Sequence, residues 1–234
     1  MISNAQKKLI RSLEQKKYRD RHGMFVVEGP KCVREFMKYQ QPELLLTDIE
    51  DIKQVSFLKT PQEMLAVFKI NANTPPIADN LTEAGLTIAL DGVQDPGNLG
   101  TIIRIADWFG IKQIVCSKDT ADAYNPKTVQ ATMGSLARVK IAYTESLSAW
   151  LSSLPTGTPI YGTLLDGDNI YEQKLTTNGV IVMGNEGNGI SAEVRKLVTN
   201  KLLIPNFSDG DTAESLNVAI ATAITCSEFR RTTT

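Results

Sequence analysis

The chain has 234 residues, 42% apolar and 22% charged, with a net charge of −1, which suits one large or two modest globular domains with real cores. No apolar run approaches the roughly 20 residues of a membrane span, and the polar start MISNAQKKLIRSLEQKKYRD is unlike a signal peptide, so a cytoplasmic protein is expected. Cys32, Cys116 and Cys226 are far apart and form no CxxC pair; they read as reduced core thiols rather than a disulfide frame or zinc site.

Residues 1–40 hold ten Lys or Arg against four Asp or Glu, an excess of +6 that leaves −7 on the remainder. A basic segment suits a polyanion such as RNA, although a solvated helix face is an equal reading. In chain order the pattern predicts a helix over 4–17, a strand at MFVVEG and a helix over 30–39. ELLLTD and VSFLK read as strands, TPQEM as a capped helix start with Thr60 and Glu63 three apart, and LAVFKI as a closing strand. Together these make a small α/β unit over 1–72. NANTPPIADN, with Pro-Pro and no periodicity, marks a linker, drawn at 73–84.

From Leu86 strands and helices alternate: LTIALDGV, a helix NLGTIIRIADWFG, QIVCS, a helix PKTVQATMGSL, RVKIAY and a helix over 146–154. IYGTLLD, GVIVMG, a helix over 191–198, KLLIPN and the long helix SLNVAIATAITCSEFRR complete residues 85–234. Such alternation predicts a parallel sheet covered on both faces.

Three segments place polar residues where a strand ends, the edge at which open α/β sheets bind ligands. In DGVQDPGNLGTIIRIADWFG, Asn98 reads as a helix cap and Arg104 lies among Ile102, Ile103 and Ile105, which suggests partial burial. In GVIVMGNEGNGIS, a glycine loop carries Glu186, where a phosphate would want only backbone N–H groups. The spacing is not that of a dinucleotide fingerprint and no Walker lysine follows, so a nucleotide-binding oxidoreductase is disfavoured. In IPNFSDGDTAESLNVAIA, Ser215 reads as a helix cap and Asn217 sits on an otherwise apolar surface, where an amide needs a partner. With His22 the single histidine, no Ser-His-Asp set or histidine metal cluster is available, and no metal is expected.

In that order, NLGTIIRIA, GNEGNGIS and IPN…ESLNVAIA resemble the three motifs of the SpoU (TrmH) family of RNA ribose 2′-O-methyltransferases, within the SPOUT superfamily. The front end RHGMFVVEGPKCVREFM is similar to the substrate-binding domain that many such enzymes carry. The resemblance implies a parallel sheet with a deep trefoil knot, S-adenosyl-L-methionine as cofactor, a homodimer, and RNA as substrate, ribosomal rather than transfer RNA. A non-catalytic RNA-binding relative is the alternative.

By the same resemblance Asn98 and Arg104 match the polar pair of the first motif, Glu186 the glutamate of the second, and Ser215 and Asn217 the pair of the third. Thr163, Leu164, Gly184, Glu186, Gly187, Ile204, Leu216 and Asn217 fall where the cofactor is held. Lys7, Lys8, Arg11, Lys16, Lys17, Arg19 and Arg21 are the expected RNA phosphate contacts. The third-motif loop NFSDGDTAE is longer and more acidic than usual, and Ala219 stands where a serine is common. Arg104 is the family's candidate proton acceptor, but guanidinium is a poor base. An electrostatic role toward a nascent alkoxide and nearby phosphate fits its chemistry better.

Overall fold

The computed structural model describes residues 1–70, 85–211 and 213–231; the expected linker lies outside them. The first helix, α1 (Asn4–Ser12), begins at a capping box in which Ser3 and Gln6 exchange side-chain and backbone hydrogen bonds. It stops short of the expected residue 17. The chain breaks after Leu13 and restarts as α2 (Lys16–His22), which ends at Gly23 in the left-handed conformation (φ 60°). Arg19 accounts for the break: its Nη1 donates to the carbonyls of Leu13 and Glu14 at 2.8 and 2.6 Å, satisfying groups a continuous helix would have used itself.

Strand β1 (Met24–Glu28), α3 (Pro30–Met37), β2 (Leu44–Leu46), α4 (Ile49–Lys53) and β3 (Leu65–Lys69) follow. β3 is the centre of an antiparallel sheet ordered β1-β3-β2. The strand expected at VSFLK and the helix expected at TPQEM do not form. The Glu28 carboxylate instead accepts from the Ser56 hydroxyl and from the Phe57 backbone N–H (2.8 Å), so the segment is held as a loop.

The second sheet is wholly parallel, as the alternating pattern predicts. Its elements are β4 (Leu86–Asp91), α5 (Pro96–Trp108), β5 (Gln113–Ser117), α6 (Pro126–Thr132), β6 (Lys140–Thr144) and α7 (Leu147–Ser152). Then come β7 (Ile160–Asn169), β8 (Gly179–Gly184), α8 (Ala192–Arg195), β9 (Asn200–Leu203) and α9 (Val218–Arg231). The strand order is β6-β5-β4-β8-β7-β9, with every pairing parallel. From β4 the chain winds outward to β5 and β6, then returns to build β8, β7 and β9 on the other side. The order therefore reverses between β4 and β8, which leave the sheet together at Asp91 and Gly184. A crevice outside the strand ends at such a reversal is where open α/β sheets bind ligands.

The two sheets share one core. Phe25 of β1 packs against Tyr124 with ring centroids 4.8 Å apart, and Phe25, Phe36 and Phe68 join Leu99, Val129 and Leu136 in a single apolar cluster. Arg19 is 2% exposed, and its Nη2 meets the Asp122 carboxylate at 2.6 Å. Arg138 bridges Glu35 of α3 and Asp107 of α5 at 2.9 and 2.7 Å. No helix among the described residues is long and apolar enough to cross a membrane.

Candidate active site

Helix α5 is capped three residues before the expected position. Asp95 is the N-cap, its carboxylate accepting from the Asn98 backbone N–H at 2.9 Å, and Pro96 takes the first helical position, where no N–H is needed. This frees the Asn98 side chain. Its Nδ2 donates to Glu186 Oε1 at 3.0 Å, and its Oδ1 accepts from Asn217 Nδ2 at 3.0 Å. Glu186 also accepts from the backbone N–H groups of Gln94 and Asp95, both at 3.1 Å. Glu186 therefore clamps the turn before α5. Burial alone would raise its carboxyl pKa, but Asn98 and the two backbone donors outweigh that and hold it below the ordinary value.

Asn217, not Ser215, caps α9. Its Oδ1 accepts from the backbone N–H groups of Ala219 and Ile220 at 2.9 and 3.3 Å, leaving Nδ2 free to reach Asn98. Asn is suited to this because its amide carries both an acceptor and a donor. One residue from each of the three motifs thus joins a single chain of hydrogen bonds, Asn217 to Asn98 to Glu186.

Beside that chain lies a cavity of about 700 Å³, within the roughly 300–1,000 Å³ of small-ligand sites. Thr163, Leu164, Gly184, Glu186, Gly187, Ile204 and Leu216 line it, together with Ser215; Asn217 flanks it between Leu216 and Val218. Asn185, which the sequence reading did not single out, shapes its glycine turn. Its Oδ1 accepts from the N–H groups of Gly187 and Asn188, both at 2.9 Å, and its Nδ2 donates to the Gly92 carbonyl at 2.6 Å. An Asn two residues before a glycine in a loop is compatible with an Asx-turn, so the sequence held a cue. Gly184 has no room for any side chain, since a Cβ there would lie 2.2 Å from the Gly189 carbonyl carbon. At the mouth Asp166 pairs with Arg195 and, at 3.1 Å, with Lys201.

Two expectations need correction. Arg104 is exposed rather than partly buried, makes no hydrogen bond or ion pair within the described chain, and does not line the cavity. Residues adjacent on a helix point in different directions, so Ile103 turns into the core without covering it. Arg104 shares an outward stripe with Thr101 and with Trp108, which is 84% exposed. Arg19 is not available to RNA phosphates, because its guanidinium is buried on Asp122 and the carbonyls of Leu13 and Glu14. Of the other expected contacts, Lys8, Arg11, Lys16, Lys17 and Arg21 are exposed and Lys7 half-buried, with Arg11 Nε donating to the Gln54 carbonyl at 3.0 Å.

The profile of the SpoU rRNA Methylase family matches residues 85–227. The chain belongs to this family. Residues 4–49 match the MRM3-like substrate binding domain. Among curated relatives, the 23S rRNA (guanosine(2553)-2′-O)-methyltransferase RlmP of Bacillus subtilis is 31% identical, covering 92% of this chain and 91% of its own. A TrmH-family chain from Porphyromonas gingivalis is 42% identical with a TM-score of 0.89, covering 99% of both chains. An AdoMet-bound rRNA methyltransferase from Sinorhizobium meliloti is 30% identical with a TM-score of 0.83, covering 99% of this chain and 96% of its own. This SpoU-family chain therefore shares its whole length, front end included, with those structures.

Proposed function

We propose that this chain transfers a methyl group from S-adenosyl-L-methionine to a ribose 2′-hydroxyl of structured RNA, ribosomal in preference to transfer RNA, as a cytoplasmic homodimer. The observation that carries the reading is the Asn217–Asn98–Glu186 chain set against the cavity at the sheet reversal. The relatives' 2′-O-methyltransferase and AdoMet-bound descriptions support the same activity and cofactor. We read residues 1–72 as the RNA-binding domain, 73–84 as the linker and 85–234 as the catalytic domain, with the trefoil knot as part of the same reading.

The cavity suits the cofactor chemically. The glycines of the turn, Gly184, Gly187 and Gly189, expose backbone groups to a cavity that apolar Leu164, Ile204 and Leu216 also line. That combination holds a purine and an amino-acid tail without demanding a phosphate. When bound, S-adenosyl-L-methionine supplies an electrophilic methyl group on a sulfonium. The chain's own residues position and stabilise. Asn98, Glu186 and Asn217 lock α5, the glycine loop and α9 into one geometry, so that the hydroxyl is presented rather than searched for. Arg104 offers a planar fork of donors to the oxygen as negative charge develops on it, and to an adjoining phosphate.

Since Arg104 does not line its own cavity, the reading has a second copy bring it near one. The helices α5 and α9, packed together, support this: their Trp108 and Ile220 are 84% and 51% exposed. Large apolar side chains grouped on a surface mark an interface.

The test supplies methyl-labelled cofactor with unmodified 23S rRNA or tRNA transcripts, followed by alkaline hydrolysis. Label in rRNA-derived, alkali-resistant dinucleotides is expected, because a methylated 2′-oxygen cannot attack its neighbouring phosphate. Label released in alkali-labile mononucleotides, or no transfer to either RNA, would overturn the proposal.

A further inference from the structure

A second cavity, of about 590 Å³, lies between the N-terminal unit and helices α5 and α6. On one side stand the buried Glu28 and the loop carrying Phe57 and Lys59; on the other, Gly97 of α5 and Lys127 and Gln130 of α6. Gly97 directly precedes Asn98, so the cleft and the catalytic network meet at the first turn of α5. Lys127 Nζ reinforces that turn by meeting Asp95 Oδ2 at 2.8 Å.

The lining is mixed in a way that suits a nucleotide better than a bare phosphate. Lys59 and Lys127 are exposed cations, while the carboxylates of Glu14 at the rim and Glu28 inside offset them in net charge. Phe57 is half-buried and offers an aromatic face of the kind bases stack on. A carboxylate has about four lone-pair sites. Glu28 uses two, on the Ser56 hydroxyl and the Phe57 N–H, which leaves acceptor capacity for a base edge that carries an amino group.

We propose that this cleft binds an unpaired RNA nucleotide flanking the methylated one, with Phe57 stacking on its base, Glu28 accepting from an exocyclic amino group and Lys59 holding its phosphate. The assignment rests on the RNA-methyltransferase reading and adds a recognition subsite to it. A base stacked here anchors the strand so that its neighbour crosses Gly97 toward Asn98. The docked front end, held by Arg19–Asp122 and the shared core, makes the cleft a fixed feature.

The experiment measures anisotropy of labelled single-stranded oligo(C) and oligo(U) on the full chain, beside calorimetric binding of S-adenosyl-L-methionine. Oligo(C) should bind about 10-fold tighter than oligo(U), since cytosine presents an amino donor where uracil presents an acceptor. Glu28→Gln keeps one acceptor oxygen for the Phe57 N–H and turns the other into a donor, which should abolish that preference. Phe57→Ala should weaken both oligomers about 10-fold, and Lys59→Ala should lower the salt slope by about 1. Cofactor affinity should stay unchanged in all three, which also reports that they fold. If Phe57→Ala and Lys59→Ala bind both oligomers as the parent does, or the parent binds neither at low salt, the cleft assignment is overturned. The methyltransferase reading then stands or falls separately on transfer of the labelled methyl.

Discussion

Asn217 and Asn98, 119 residues apart in the chain, meet amide to amide at 3.0 Å, and the same Asn98 amide hands its other hydrogen bond to Glu186. This contact ties the last helix to the first helix of the parallel sheet at the rim of the cavity. Asn217 does two jobs, capping α9 with its oxygen and holding Asn98 with its nitrogen. The two can be separated. Asn217→Ser keeps an oxygen for the cap, so urea denaturation should register a loss within about 0.5 kcal/mol, while methyl transfer should fall at least 10-fold. A double-mutant cycle with Asn98→Ala should give a coupling of about 0.5–3 kcal/mol in transfer rate; full additivity would place the two residues in unrelated roles.

Arg19 and Lys16 lie one turn apart on α2 and should behave as opposites. Removing one partner of a buried ion pair strands the other, so Arg19→Ala should lower the urea-derived stability by about 3–5 kcal/mol. Lys16→Ala is exposed and should leave stability within about 0.5 kcal/mol. It should instead reduce the salt dependence of RNA binding by about one counterion. An Arg19→Ala protein of undiminished stability would contradict the buried joint between the sheets.

The Glu186 carboxyl is held below its ordinary value of 4.5. A group whose folded value is depressed contributes stability above the unfolded value and loses it as pH falls through the folded one. Cofactor affinity measured by calorimetry should therefore stay flat from neutral pH through the ordinary carboxylate range and decline only below it, as the clamp is protonated. Glu186→Gln should weaken binding at neutral pH and remove the acid-side decline. An unchanged acid limb in that variant would assign the decline to another group.

The exposed Trp108 and Ile220 should be covered in solution by a second copy. Multi-angle light scattering should give a dimer for the parent and a monomer for Trp108→Glu combined with Ile220→Glu. The monomer should still bind cofactor yet transfer no methyl, because Arg104 would have no partner cavity to serve. A fully active monomer would remove the need for an interface.

Much of this was legible in the sequence, and the misses share physical causes. Short apolar segments between stretches of helical periodicity located every strand of the parallel sheet, and the central β4, β5 and β8, buried on both faces, carry the most continuous hydrophobicity. The caps were misplaced at both site helices. Asn98 and Ser215 have the right chemistry, but Asp95 followed by Pro96, and Asn217, are the residues whose oxygens meet the free N–H groups. A cap-forming side chain identifies a neighbourhood, and only the backbone path selects among several candidates. VSFLK has strand composition, yet its hydrogen bonds go to Glu28, a contact 29 residues away that local propensity does not carry. Arg19 was counted as one more positive charge, because a charge count is blind to burial.

Arg104 separates an active enzyme from an RNA-binding relative most directly. Single-turnover methyl transfer to RNA by Arg104→Ala, with calorimetric cofactor binding as its control, measures the role. The side chain is exposed and unpaired within the described chain, so its removal should leave folding and cofactor affinity as in the parent. Loss of a donor that acts on developing charge should lower the transfer rate by about 10²–10³, and Arg104→Lys should recover only part of it, since the charge returns without the planar fork. Transfer by Arg104→Ala at the parent rate, with cofactor bound normally, would contradict the assignment of the active site.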